Sequence, residues 1–300
     1  MTIDAKDTRK GAKYTKSLRR KDLMRYKAGR IAVKVGIYFV LTLFAVFIII
    51  PFLFALVTSF TEPTGIFDFK WIPDPFTLEN YEELFSGYDI LGGFLNTLMY
   101  IIPPVFVGVF TSTLAAYGFA RVRFPGRQVL FFVVLGTMLF PGVITMIPSF
   151  VMFSNVYHWA GTPLPLIIPG MFGSSMTMFF MKQYIEGIPK SLEEAAFIDG
   201  MSRGGVFLKI ILPLAKVAVI AQIVLSLNGA YNDYLGPLLY VGTEEELFTL
   251  QLVLEKIQQR GTPYTLMMAG SIIALLPTLL MFGFAQRFFM EGIMMTGLKD

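Results

Sequence analysis

The chain has 300 residues, 55% hydrophobic and 15% charged, with mean hydropathy +0.63 and a formal net charge of +4. That apolarity excludes an ordinary soluble domain, and several runs reach the roughly 20 residues that cross a hydrocarbon core of about 30 Å. With no cysteine and a single histidine, His158, disulfides, thiolate metal sites and a histidine cluster are excluded as well.

Residues 1–34 are crowded with basic side chains, among them Lys6, Arg9, Arg19, Arg20, Arg25 and Lys34. Such a segment stays in the cytoplasm and attracts anionic membrane lipid; beside so long an apolar run it does not indicate nucleic acid. Residues 35–60 are too long for a signal-peptide core and read as the first transmembrane helix, with Pro51 inside it. The loop 61–93 carries Glu62, Asp68, Asp74, Glu79, Glu82, Glu83 and Asp89 against Lys70, which places it outside, with a short surface helix near 78–85. It reads as a solvated loop, or as a landing surface for a soluble binding protein.

The second span, 94–120, holds Pro103-Pro104, which should kink it, and ends at Arg121, Arg123 and Arg127, a return inside. The third, 129–153, contains Pro141 and Pro148 and leads to an outer turn at 154–162, where His158 is a hydrated turn residue. The fourth, 163–184, carries Gly173-Ser174-Ser175, small residues that let membrane helices approach closely.

Residues 189–213 form the longest polar-leaning interval between spans, yet they have strong helix grammar. Ser191 as N-cap with Glu194 three residues on predicts a capping box. Leu192, Ala195, Ala196 and Asp199 follow at helical spacing, and Gly200 stands where a left-handed helix end is expected. A second helix is predicted after Ser202. The first is short, about 12 Å at 1.5 Å per residue.

The fifth span, 214–240, is apolar at first but then carries Asn228, Tyr231, Asn232 and Asp233, with Leu235 on the face of the first three. Polar groups at this depth must face protein or a water-filled cavity, so helix packing and substrate contact both stay open. Residues 241–263, with Glu244, Glu245 and Glu246, read as outside, with an amphipathic helix near 250–258. The sixth span, 264–285, is followed by a cytoplasmic tail, 288–300. The sum is an all-α polytopic membrane protein of six transmembrane helices with both termini cytoplasmic, the segment 94–287 forming its core.

No GxxxxGK[ST] phosphate loop, HExxH, nucleophile elbow or dinucleotide fingerprint occurs, so neither ATP hydrolysis nor another catalytic site is expected, and no cofactor or metal. Energy for any active transport must come from a partner.

Glu194-Ala195-Ala196, then Gly200, then Ile210-x-Leu212-Pro213 resemble the EAA loop of ABC importer permeases. "IPKSLEEAAFIDG", "ILPLAKVA", "YNDYLGPL" and the closing "QRFFMEGIMMTGLKD" are similar to its carbohydrate class, the branch of maltose-type importers. The resemblance implies a type I ABC importer permease fold in a bacterial or archaeal plasma (inner) membrane. It implies a subunit of an ATP-driven, binding-protein-dependent oligosaccharide importer. The partners would be a sister permease, a cytoplasmic ATPase dimer and an extracytoplasmic sugar-binding protein. Glu194, Ala195, Ala196 and Gly200 would dock on the ATPase. Asn228, Tyr231, Asn232 and Asp233 would line the substrate path, and residues 292–300 would match a tail that reaches between the ATPase subunits. An ABC permease for a non-sugar solute and a passive membrane channel are the alternatives.

Overall fold

The computed structural model describes residues 5–62 and 71–297, and their side chains over 29–31, 33–62 and 71–286. The chain divides into two compact units, Met1–Val57 and Thr58–Asp300. Among the described residues every regular element is helical.

Helix α1 (Ala5–Ser59) supplies the first unit and runs through Pro51 without interruption. The helix is continuous across residue 34, where the basic segment gives way to the apolar run. Gly29–Ser59 is long and apolar enough to cross a membrane, and large side chains such as Phe39, Phe47 and Ile48 are exposed along it, as a lipid-facing helix requires. The basic side chains before residue 29 and those of the tail after residue 286 lie outside the described residues, as do residues 63–70.

The second unit is organised around α3 (Ile90–Arg121), 32 residues and about 48 Å long. Pro103-Pro104 lie within it, and the helix continues past them without a break. It is preceded by α2 (Glu79–Gly87), the surface helix expected near 78–85, which is anchored by Leu84 and by Asn80. Asn80 is buried because its amide donates to the carbonyls of Ser59 (3.0 Å) and Thr61 (2.7 Å).

The third span is not one rod. Helix α4 (Arg127–Thr137) and the helix opened by α5 (Gly142–Val151) meet at 91°. Pro141 causes the break: it lacks an N–H and biases Phe140 away from helical geometry. A π-helical turn, Met152–Val156, follows, and His158 is exposed in the next turn at φ 56°. The fourth span is α6 (Leu164–Met171) and α7 (Ser175–Glu186), joined through Gly173 at φ 94°. Next come α8 (Ser191–Ile198), α9 (Arg203–Val206), a π-helical turn (Phe207–Ile211) and α10 (Leu212–Leu214). Helix α11 (Lys216–Tyr231) leaves that stretch at 75°. The fifth span breaks again at residues 232–234 before α12 (Leu235–Val241), so Leu235 does not share a helix with Asn228 and Tyr231. The last elements are α13 (Leu250–Gln259), the predicted amphipathic helix, and α14 (Tyr264–Gly297). Among the described residues, four helices are long and apolar enough to span a membrane, or up to six if each bent pair is one span.

Two apolar clusters pack on the two ends of α3. One joins Ala116 and Tyr117 to Met181 and Ile185 of α7, Ala196 of α8, and Phe207 and Ile211. The other joins Ile90 and Ile101 to Leu84, Tyr231, Val253, Ile257 and Leu266. Within lipid such clusters are held by close packing more than by exclusion of water. The expectation for small residues in the fourth span holds at Gly173, where a Cβ would lie 2.5 Å from Ser112 Oγ of α3. Nearby, a Cβ on Gly108 of α3 would overlap the Gly170 carbonyl oxygen, and one on Gly170 would lie 2.7 Å from Pro104 Cβ. Gly108→Val should therefore cost about 1–3 kcal/mol as overpacking. It should lower the thermal unfolding midpoint in detergent, whereas Gly118→Ala on the same helix, with nothing within 4 Å of the added methyl, should not.

Candidate functional site

The hairpin α8–α9 is built differently at its two ends. The capping box predicted from Ser191 and Glu194 does not form: α8 starts one residue early, with Lys190 in the N-cap position and no side-chain cap. The chain is already turning at Pro189, whose carbonyl accepts from Leu192 N (3.4 Å), and Lys190 has helical dihedrals (φ −65°, ψ −26°). Ser191 is thereby inside the helix, where it lacks the extended geometry of a cap. The other end follows expectation. Gly200 is left-handed at φ 82°; its N–H donates to Phe197 O (3.0 Å) and that of Met201 to Ala196 O (2.9 Å). This pair of bonds is a Schellman ending, and Met201 packs on the cluster that contains Ala196. Ser202 then caps α9, its hydroxyl accepting from Gly205 N at 3.2 Å.

The inward face of α8 is Glu193 and Ala196, both buried; Glu194, Ala195 and Gly200 are exposed, and Ile198 is 86% exposed. Of the residues singled out in the loop, Ala196 is thus turned into the fold and the other three are turned out. The residue that sequence reasoning passed over is Glu193. It forms an ion pair with Arg121, the last residue of α3, and both side chains are only 6% exposed. The guanidinium donates through Nε to Glu193 Oε1 and through Nη2 to the carbonyls of Ile185 (2.8 Å) and Ile188 (2.6 Å). These are carbonyls at the C-terminal end of α7 and in the turn after it, where intrahelical donors run out; Ile185 O accepts from Ile188 N as well (3.0 Å). Removing one partner of such a buried pair costs about 3–5 kcal/mol, because the other charge is left uncompensated. Beside the pair lies an open cavity of about 550 Å³, bordered by Arg123, Arg127, Lys190, Glu194, Phe197 and Arg203. With Glu186 also in the lining, the cations Arg123, Arg127, Lys190 and Arg203 outnumber the carboxylates Glu186 and Glu194 outside the ion pair, which makes this a basic recess under the exposed face of α8.

The polar residues of the fifth span are not brought together as one wall. Tyr231 is 2% exposed, and its hydroxyl donates to Ala274 O of α14 (3.0 Å), the packing role. Asn232, exposed, ends α11 and donates from Nδ2 to Asn228 O (2.8 Å). Asp233 Oδ1 accepts from Gly236 N (3.2 Å) and so supports the start of α12. Asp233 alone of the four borders a second cavity, of about 270 Å³, with Thr97, Tyr100, Ser174, Ser226 and Thr249. Thr249 Oγ1 is buried there without a hydrogen-bond partner. The signal for Thr97 and Tyr100 was present as polar side chains inside an apolar span. The segment that opens α13 is fastened to the same end of α3: Leu250 N donates to Thr97 Oγ1 (2.9 Å), Tyr100 Oη to Leu247 O (3.1 Å) and Asn96 Nδ2 to Phe248 O (3.0 Å). Nearby, a hydrogen bond from Lys256, and then its charge, hold the exposed Glu245 carboxyl below the usual carboxylate range.

An all-helical, multi-span membrane protein that presents one short, anchored helix between two spans defines a class of transport subunit. Residues 108–290 match the family described as binding-protein-dependent transport system inner membrane component, and the chain belongs to that family. It is 32% identical over 232 residues to the arabinooligosaccharides transport system permease protein AraQ of Bacillus subtilis, a match covering 76% of this chain and 80% of that one. It is 30% identical over 285 residues to the polygalacturonan/rhamnogalacturonan transport system permease protein YtcP of the same organism, covering 88% and 96%. Its fold is similar to that of a chain of a bacterial ABC transporter involved in the import of the acidic polysaccharide alginate. The TM-score is 0.75 at 23% identity, over 87% of this chain and 97% of that one. The chain is accordingly a multi-pass plasma-membrane protein.

Within the α8–α9 hairpin, Gly200 is the residue held to a left-handed backbone. A side chain there meets open space but takes a left-handed backbone, at a cost of about 1–2 kcal/mol for an L-residue. Gly200→Val should speed amide exchange at Met201 by about tenfold, and Gly200→Asn, whose side chain tolerates this conformation, by less.

Proposed function

We propose that the chain is a permease subunit of an ATP-driven, binding-protein-dependent oligosaccharide importer, and that α8 is its coupling helix. The observation that carries this reading is the outward face of α8: Glu194, Ala195 and Ile198 exposed on a helix whose inner face is pinned to α3. Exposed apolar side chains on so short a helix are the mark of a docking surface, and small residues permit close approach to a partner. In this reading the two bent pairs each count as one span, giving six, with the basic start of α1 and the tail in the cytoplasm. ATP is hydrolysed by a partner ATPase dimer whose grooves receive α8 and its counterpart on a sister permease. Glu194 pairs with a basic group of that groove, and an extracytoplasmic binding protein delivers the solute.

Two relatives carry oligo- or polysaccharides in their names, which supports a sugar as the cargo. Asn228, Asn232 and Asp233 stand at the break of the fifth span, where amide and carboxylate groups suit hydroxyl-rich ligands, while Tyr231 is turned to α14.

A tagged chain isolated in mild detergent should bring a second permease and an ATPase with it, and recovery of the chain alone would favour a passive channel. In the reconstituted complex, Gly200→Glu should abolish the stimulation of ATP turnover by loaded binding protein, since a charged side chain cannot enter a tight helix–groove contact. Near-normal stimulation would remove α8 from the docking role. Asn232→Ala should leave assembly intact and change uptake; loss of assembly instead would assign Asn232 to packing.

A further inference from the structure

Resting on the importer reading above, we propose that Arg121 is a positioning residue that turns α8 and α3 into one mechanical body. Displacement of α8 by the ATPase then moves the whole of α3 instead of bending the loop between them. The loop alone is poorly suited to carry force. Residues 187–190 connect α7 to α8 with no helix of their own, and α8 is only 8 residues long. Arg121 removes that slack from one point. Its guanidinium is held in a plane by three acceptors on three segments: Glu193 in α8, Ile185 at the end of α7 and Ile188 in the connecting turn. Arginine is suited to this role because its donors form a fixed fork, whereas a lysine ammonium is a point charge on a flexible stem. The burial of both charged side chains matters equally, since each is only 6% exposed at the edge of the cavity and screening of the pair is weakened.

What α3 does with the displacement follows from its other end. Thr97, Tyr100, Pro104 and Gly108 border the 270 Å³ cavity, and Asn96, Thr97 and Tyr100 hold the segment that leads into α13. Gly108 and Gly170 bring α3 and α6 too close for independent bending at that level. A movement imposed at Arg121 is thus delivered to the cavity and to α13 along one unbroken helix. Glu193, one residue before the docking Glu194, is the carboxylate that faces inward to receive it, and the adjacent pair divides anchoring from docking.

The test uses the complex recovered with the full-length chain, reconstituted in lipid, with solute uptake per ATP hydrolysed as the readout. Arg121→Gln should lower that ratio by about tenfold, the range for removal of a coupling element, and Arg121→Lys should restore part of it. A second readout needs no partner. The chain has no cysteine, so a spin label at Ile198→Cys in the chain alone reports the freedom of α8. The label should be restrained in the otherwise unaltered chain and mobile with Arg121→Gln. A coupling ratio and label mobility unchanged by Arg121→Gln would overturn the assignment. Should Arg121→Gln fail to assemble, Glu193→Gln, which keeps an acceptor oxygen and the packing, carries the test. A fall of about threefold supports the clamp and an unchanged ratio overturns it. An unaltered chain that recovers no ATPase overturns the importer reading and the coupling role together. An unaltered complex that couples, beside an Arg121→Gln complex that couples equally well, overturns the clamp alone.

Discussion

Backbone polar groups released at a helix break have no water to turn to within a bilayer, and this constraint shapes the second unit. Each unpaired group costs several kcal/mol in hydrocarbon, so a broken span must lie against a neighbour that supplies partners. Helix α3 is that neighbour. Thr111 Oγ1 donates to Met171 O (2.9 Å) and Ser112 Oγ accepts from Ser174 N (2.8 Å), which closes the break between α6 and α7. Arg121 does the same with charge at the end of α7, and Thr97 does it at the start of α13. One continuous helix can therefore be surrounded by discontinuous ones, and its own polar residues recur where those neighbours break.

That arrangement also explains where glycine is required. Gly173 takes a left-handed backbone at φ 94°, and a Cβ there would lie 2.5 Å from Ser112 Oγ, the atom that satisfies Ser174 N. The break, its hydrogen bonds and the close crossing of Gly108 on Gly170 are one feature seen from three sides. By contrast Gly200 faces open space, so its requirement is conformational alone.

Much of this was legible in the chain. The apolar runs marked the four long apolar helices and the two bent pairs, Gly200 marked the end of α8, and Ser202 marked the start of α9. The amphipathic stretch near 250–258 became α13. Proline gave no warning of which span would break: α3 stays one continuous helix through Pro103-Pro104, whereas the third span, in which Pro141 was noted without a break being expected, bends by 91°. Burial alone does not decide the outcome: α3 is embedded among neighbours and α4 and α5 bury no residue fully, yet the exposed α1 also runs unbroken through Pro51. The capping box at Ser191 failed because Pro189 and Lys190 had already committed the backbone to the helix. Asn228, Tyr231 and Asn232 shared a face on paper, but the helix that would have aligned them with Leu235 ends at Tyr231.

Glu193 and Glu194 show the limit of reading by motif. They are adjacent and chemically identical, and a pattern anchored on Glu-Ala-Ala selects the second. In the fold they point about 100° apart on a helix of 3.6 residues per turn. One is buried against Arg121 and the other stands in the open beside a basic recess. A single docking carboxylate on a loosely tethered 8-residue helix would transmit little, because the helix would yield before the span moved. A carboxylate on each face lets one side engage a partner while the other holds the body of the protein. In the importer reading proposed above, the exposed residue can serve as a coupling group only because its neighbour is not exposed.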